Sequence, residues 1–87
     1  MNFRVLLHPK AKEFLGKLDP QLQERIKNKL KELERFPEER EKHLRYSKFW
    51  SLRIGDYRAI YEIQEKRVVV MFIGHRKNVY DDFSKIF

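Results

Sequence analysis

The sequence predicts an α+β domain: an N-terminal strand, a two-helix hairpin, a three-stranded antiparallel meander and a short C-terminal helix. Three observations carry that order. Phe49-Trp50-Ser51-Leu52-Arg53-Ile54-Gly55-Asp56-Tyr57-Arg58-Ala59-Ile60-Tyr61 reads as two strands around a two-residue Gly-Asp turn. Two segments with apolar residues at helical spacing each begin at a proline, Pro9 and Pro20. Val68-Val69-Val70-Met71-Phe72-Ile73 is a continuous apolar run, the pattern of a strand covered on both faces.

Taken in order, residues 2–7 alternate Phe3, Val5 and Leu7 and read as the first strand. His8-Pro9 opens a helix whose stripe is Ala11, Phe14, Leu15 and Leu18, with Pro at the first helical position, where its missing N–H costs nothing. Asp19-Pro20 repeats the punctuation, since Asp is a preferred N-cap. The second helix is expected from Pro20 to about Arg35, burying Leu22, Ile26, Leu30 and Leu33. Phe36-Pro37 ends it, because a residue before proline is pushed out of the helical region. Glu38 to Lys48 has no clear period and reads as a charged linker. A turn at Gln64-Glu65-Lys66 precedes the apolar strand, and Val79 to Phe87 carries one or two helical turns. With no repeats and no separating linker, residues 1–87 form one domain.

The hairpin is the most informative stretch. Gly first in a two-residue loop suits type II′ geometry, whose twist matches the flanking strands. That turn pairs Ile54 with Tyr57, Arg53 with Arg58, Leu52 with Ala59 and Trp50 with Tyr61. Alternation then places Trp50, Leu52, Ile54, Tyr57, Ala59 and Tyr61 on a core face, and Ser51, Arg53, Arg58 and Ile60 on the other. Like charges opposed across strands destabilise a sheet. An Arg53–Arg58 rung therefore points to an anionic ligand, unless Asp56 or Glu62 neutralises it.

Composition narrows the classes. The formal net charge is +7, which favours nucleic acid or an acidic protein as partner, although a surface with 38% charged residues also accounts for part of it. There are no cysteines, and His8, His43 and His75 lack ligand spacing, so neither a disulfide framework, a metal site nor a cofactor is expected. The N-terminal apolar run is too short for a signal peptide and no stretch would span a membrane, so a cytoplasmic protein is expected.

A basic constellation follows from the strand order. If the last strand pairs antiparallel with the one carrying Arg58, its end brings His75, Arg76 and Lys77 beside Arg58, with Tyr80 a helical turn further on. Arginine's planar fork makes two hydrogen bonds to a phosphate and stays charged. Three converging arginines form a phosphodiester clamp, and Tyr80 can stack on an unpaired base or anchor the last helix. His75 can serve as a proton acceptor near neutrality or hold a structural role.

Ser51-Leu52-Arg53-Ile54-Gly55-Asp56-Tyr57-Arg58-Ala59-Ile60-Tyr61 and Phe72-Ile73-Gly74-His75-Arg76-Lys77-Asn78-Val79-Tyr80, in this element order, resemble the RelE/ParE toxin superfamily over nearly the whole chain. For the RelE-like branch the resemblance implies a ribosome-dependent endoribonuclease. It cuts mRNA in the A site, needs no metal, and is restrained by a RelB-like antitoxin. The ribose 2′-hydroxyl attacks the adjacent phosphate, leaving a cyclic phosphate and a free 5′-hydroxyl. Position by position, the resemblance implies that Arg58 matches an arginine on the scissile phosphate, Arg76 one that stabilises transition-state charge or helps protonate the leaving oxygen, and Tyr80 a tyrosine that stacks on or orients the substrate. Arg53 falls where better-known members carry a lysine. The expected RNA-binding set is Arg53, Arg58, Arg76, Lys77 and Lys48, and the catalytic set Arg53, Arg58, His75, Arg76 and Tyr80.

The family's two strand lysines appear here as Ser51 and Arg53. Arginine is not deprotonated in a protein, so another proton acceptor is needed, His75 being the candidate, or catalysis rests on placement and charge. Two other readings stay open: a ParE-like, non-catalytic inhibitor of DNA gyrase, and an inactive remnant that only binds antitoxin. In each, an acidic or amphipathic antitoxin segment is expected to neutralise the arginines or displace residues 79–87.

Overall fold

The computed structural model describes residues 2–39 and 48–87. Its elements are β1 (Arg4–Leu7), α1 (Pro9–Gly16), α2 (Pro20–Leu30), β2 (Phe49–Ile54), β3 (Tyr57–Gln64), β4 (Arg67–His75) and α3 (Val79–Ile86), with 3₁₀ turns at Lys31–Glu34 and Pro37–Glu39. The expected element order is met throughout. Residues 40–47 of the expected linker, His43 among them, lie outside the described residues.

The helix starts follow the local chemistry. The His8 ring accepts from the Lys10 N–H at the N-cap of α1, and the Asp19 carboxylate accepts from Leu22 N–H at that of α2. Satisfying one otherwise orphaned amide in this way contributes about 1 kcal/mol at the Asp19 cap. α2 departs from expectation at its far end. The α-helical spiral stops at Leu30 and tightens into the 3₁₀ turn, which keeps Leu33 fully buried and brings the Glu34 carbonyl to the Phe3 N–H at 2.6 Å.

The four strands form one sheet in the order β1-β4-β3-β2, with β1 parallel to β4 and the other pairs antiparallel. The β2–β3 register is the expected one, rung for rung, and Gly55 supplies the positive φ (59°) that the first position of its turn requires. The β3–β4 turn places Glu65 at φ 58°, a conformation that L side chains adopt only at a cost.

Two cores result, one on each face. Ala11, Leu15, Ile26, Leu30 and Leu33 from the helical hairpin pack on Leu52, Ile54, Ala59, Tyr61, Val68, Val70 and Ile73. Across the sheet, Val79 and Phe83 of α3 pack on Ile60 and Phe72, with Phe49, Met71 and Tyr80 around them. Met71 is an extra residue in β4: Ile60 pairs with Phe72 but Tyr61 pairs with Val70. That bulge reverses the alternation, so Val68 and Val70 point to one core and Phe72 to the other. Tyr61 donates its buried hydroxyl to the Pro37 carbonyl at 2.7 Å, tying the second 3₁₀ turn to the sheet.

Candidate functional site

The face that carries α3 also carries the arginine rung. Arg53 and Arg58 are paired across β2 and β3, and the residue paired with Arg58 on its other side, on β4, is Gly74. A Cβ on Gly74 would stand 3.1 Å from Val79 Cγ2 and 3.2 Å from Val79 Cβ. The glycine thus lets the first turn of α3 sit directly on the sheet beside Arg58. Arg58 is half-buried and donates from Nη1 to Ser51 Oγ at 2.9 Å, while Ser51 itself is buried. Arg53 is exposed, with Nε donating to the Gly55 carbonyl at 3.4 Å.

The carboxylates that the sequence offers to this rung are engaged by other cations. Glu62 lies 3.4 Å from Lys48 Nζ, and Asp56 Oδ1 lies 3.9 Å from Arg76 Nε. Arg76 follows β4 immediately, and its N–H donates to the Asp56 carbonyl at 2.8 Å. That bond places Arg76 at the β2–β3 turn, at the end of the sheet where the Arg53–Arg58 rung lies. The three arginines are thereby brought to one end of the sheet, as expected. Lys48 is exposed and also sits 5.6 Å from the Phe49 ring centroid; Lys77 is exposed beside Arg76. Tyr80 is half-buried against the α3 core, which limits the ring area left for a base.

His75 departs from the expected convergence. It pairs with Tyr57, and residues paired across strands share a face, so its Cβ points to the helical-hairpin side while Arg58 points to the α3 side. Its ring is edge-on to Tyr57 at 5.7 Å between centroids, and Nδ1 accepts from the Lys77 N–H at 3.2 Å. That bond ties the imidazole to the loop after β4, on the face of the sheet opposite Arg58.

Residues 5–80 match the model of the ParE toxins of type II toxin–antitoxin systems, the toxins of parDE. The chain belongs to that family. Within the wider RelE/ParE superfamily this ParE-family chain has the fold of RelE toxins. It is 25% identical to a chain of the RelBE2 toxin–antitoxin complex of Mycobacterium tuberculosis, with a TM-score of 0.76 over 87% of this chain and all of the other. A chain of the Pyrococcus horikoshii RelE–RelB complex is 27% identical, with a TM-score of 0.71 over 87% of this chain and 97% of that one. For the intact E. coli RelBE complex the values are 28% and 0.69, over 84% and 95%. No curated protein sequence matches the chain.

Two residues of this ParE-family site escape the sequence reading. Ser51 falls on the arginine face, but its hydrogen bond to Arg58 runs to a diagonal neighbour two positions along β3, which direct-pair reasoning passes over. Gly74 stands inside a strand, where glycine marks a close approach by other chain, and that signal is present in the sequence. Among the described residues no helix is long and apolar enough to cross a membrane.

Proposed function

We propose that this toxin is an endoribonuclease that cleaves mRNA in the ribosomal A site and is held inactive by a RelB-like antitoxin. The observation that carries the reading is the Arg53–Arg58 rung, two arginines paired across β2 and β3, with Arg76 brought to the same end of the sheet by its bond to Asp56. Like charges at paired positions favour an anion, and an arginine fork is suited to giving a phosphodiester two hydrogen bonds.

In the proposed reaction the 2′-hydroxyl oxygen attacks the adjacent phosphorus and the bond to the 5′ oxygen breaks, leaving a cyclic 2′,3′-phosphate and a 5′-hydroxyl. Arg58, fixed by Ser51, binds a non-bridging oxygen, and Arg53 and Arg76 carry the charge that develops. No guanidinium accepts a proton, and His75 faces away with Nδ1 occupied. Catalysis then rests on placement and on stabilising charge, with solvent taking the proton from the 2′-hydroxyl and supplying one to the departing 5′ oxygen. Lys48 and Lys77 extend the basic surface, and Tyr80 offers the exposed part of its ring to a base.

The match to the ParE toxins favours a second reading, a non-catalytic inhibitor of DNA gyrase. Primer extension on a translated mRNA separates the two. Cuts in codon register that vanish in Arg58→Ala support the ribonuclease. Uncut mRNA together with blocked gyrase supercoiling would replace it, and neither effect would leave a protein that only binds antitoxin. The antitoxin is placed across the arginines or against α3, and the cytoplasm is the compartment where its ribosomal target resides.

A further inference from the structure

Between α2 and the β2–β3 turn lies a cleft of about 460 Å³ lined by Arg25, Asn28, Lys29, Glu32, Arg53 and Gly55. Three cations face one carboxylate there, and that carboxylate, Glu32, is 3.0 Å from Lys29 Nζ. Arg25 is exposed and, among the described residues, makes no hydrogen bond or ion pair. Its guanidinium nonetheless sits over the turn: Nη2 is 3.1 Å from where a Gly55 Cβ would stand. On the same glycine, the carbonyl accepts from Arg53 Nε. Two arginines from distant parts of the chain thus converge on one residue that has no side chain of its own. Holding like charges together at the mouth of a polar cleft raises the local potential and favours an anion.

We propose that this cleft binds a second phosphate of the RNA strand whose scissile phosphate lies on the Arg53–Arg58 rung, with Arg25 as its principal ligand. This rests on the ribonuclease reading. The occupant is assigned as nucleic acid because Arg53 lines the cleft and is also a member of the rung, so that the two meet round β2, the edge strand, and because a nucleic-acid strand presents one phosphate per nucleotide. Asn28 adds an amide donor and Lys29 a further cation partly balanced by Glu32. Arg25 is then a positioning residue. It fixes the direction of the strand and so which phosphate reaches Arg58.

The test is binding of a short single-stranded RNA with 2′-O-methyl riboses, which cannot be cleaved, measured by fluorescence anisotropy over a range of salt. Removing one cation that neutralises a phosphate should flatten the slope of log K against log salt by about 0.7 for a single strand. Arg25→Ala and Arg58→Ala are compared with Lys66→Ala, which removes the same charge at the β3–β4 turn, the opposite end of β3. A slope flattened in both arginine variants, and not in Lys66→Ala, is the expected result. If Arg58→Ala flattens it and Arg25→Ala behaves as Lys66→Ala does, the cleft is not a phosphate site and the rung stands. If neither arginine variant differs from Lys66→Ala, both fall. Arg25 is exposed on α2, and thermal unfolding of each variant confirms that it folds.

Discussion

Gly74→Ala probes how α3 is seated beside Arg58. The added Cβ would stand 3.1 Å from Val79 Cγ2 and 3.2 Å from Val79 Cβ, and Val79 is fully buried between Gly74 and the α3 core. A contact that tight requires the neighbour to move by a few tenths of an ångström, and a buried valine at a helix start has little room to do so. Overpacking of this kind costs about 1–3 kcal/mol. Replacing a glycine inside a strand by alanine returns about 0.5–1 kcal/mol of backbone entropy. The net expectation is a loss between about 0 and about 2.5 kcal/mol, and in a domain of this size each kcal/mol lowers Tm by about 4–8 °C. Urea unfolding of Gly74→Ala, Val79→Ala and the double variant makes the test specific. With the Cγ atoms of Val79 gone, Gly74→Ala should cost less than in the native background, by about 0.5 kcal/mol or more. Stability unchanged by Gly74→Ala in both backgrounds would refute the close approach of α3.

Two further perturbations address the frame that holds the site. Tyr61→Phe removes the hydroxyl that donates to Pro37 O and leaves a buried carbonyl unsatisfied, for an expected loss of about 1–3 kcal/mol in urea unfolding with an unchanged m value. Glu65→Gly relieves a side chain held at φ 58° on an exposed turn; it should raise Tm, by an amount corresponding to about 0.5–1 kcal/mol, and a fall would show that Glu65 contributes more than its strain.

What is legible in the sequence is local. The Gly55-Asp56 turn fixes the β2–β3 register, so the Arg53–Arg58 rung and the core face of the hairpin follow from counting residues. Pro9 and Pro20 mark both helix starts because a missing N–H is harmless only there. What is not legible depends on distant contacts. The run from Val68 to Ile73 is apolar at every position and reads as covered on both faces, but nothing in it reveals the bulge at Met71 that sends Val70 and Phe72 to different cores. The tightening of α2 after Leu30 accompanies a bond from Phe3, far away in the chain. Proximity along the chain groups His75 with the arginines, but the register places it opposite Tyr57 and so on the other face. Arg25 lies outside the apolar stripe of α2, and only packing of α2 against the hairpin brings it onto Gly55.

The most direct test of a clamp that works by charge and placement is single-turnover cleavage on ribosomes carrying a defined A-site codon, with wild type, Arg58→Ala and His75→Ala side by side. Wild type is expected to cut and to leave a cyclic phosphate, Arg58→Ala to be slower by about 10²–10³-fold, and His75→Ala to keep the wild-type rate and pH profile. Cleavage by Arg58→Ala at the wild-type rate would contradict the assignment of the scissile phosphate to the Arg53–Arg58 rung.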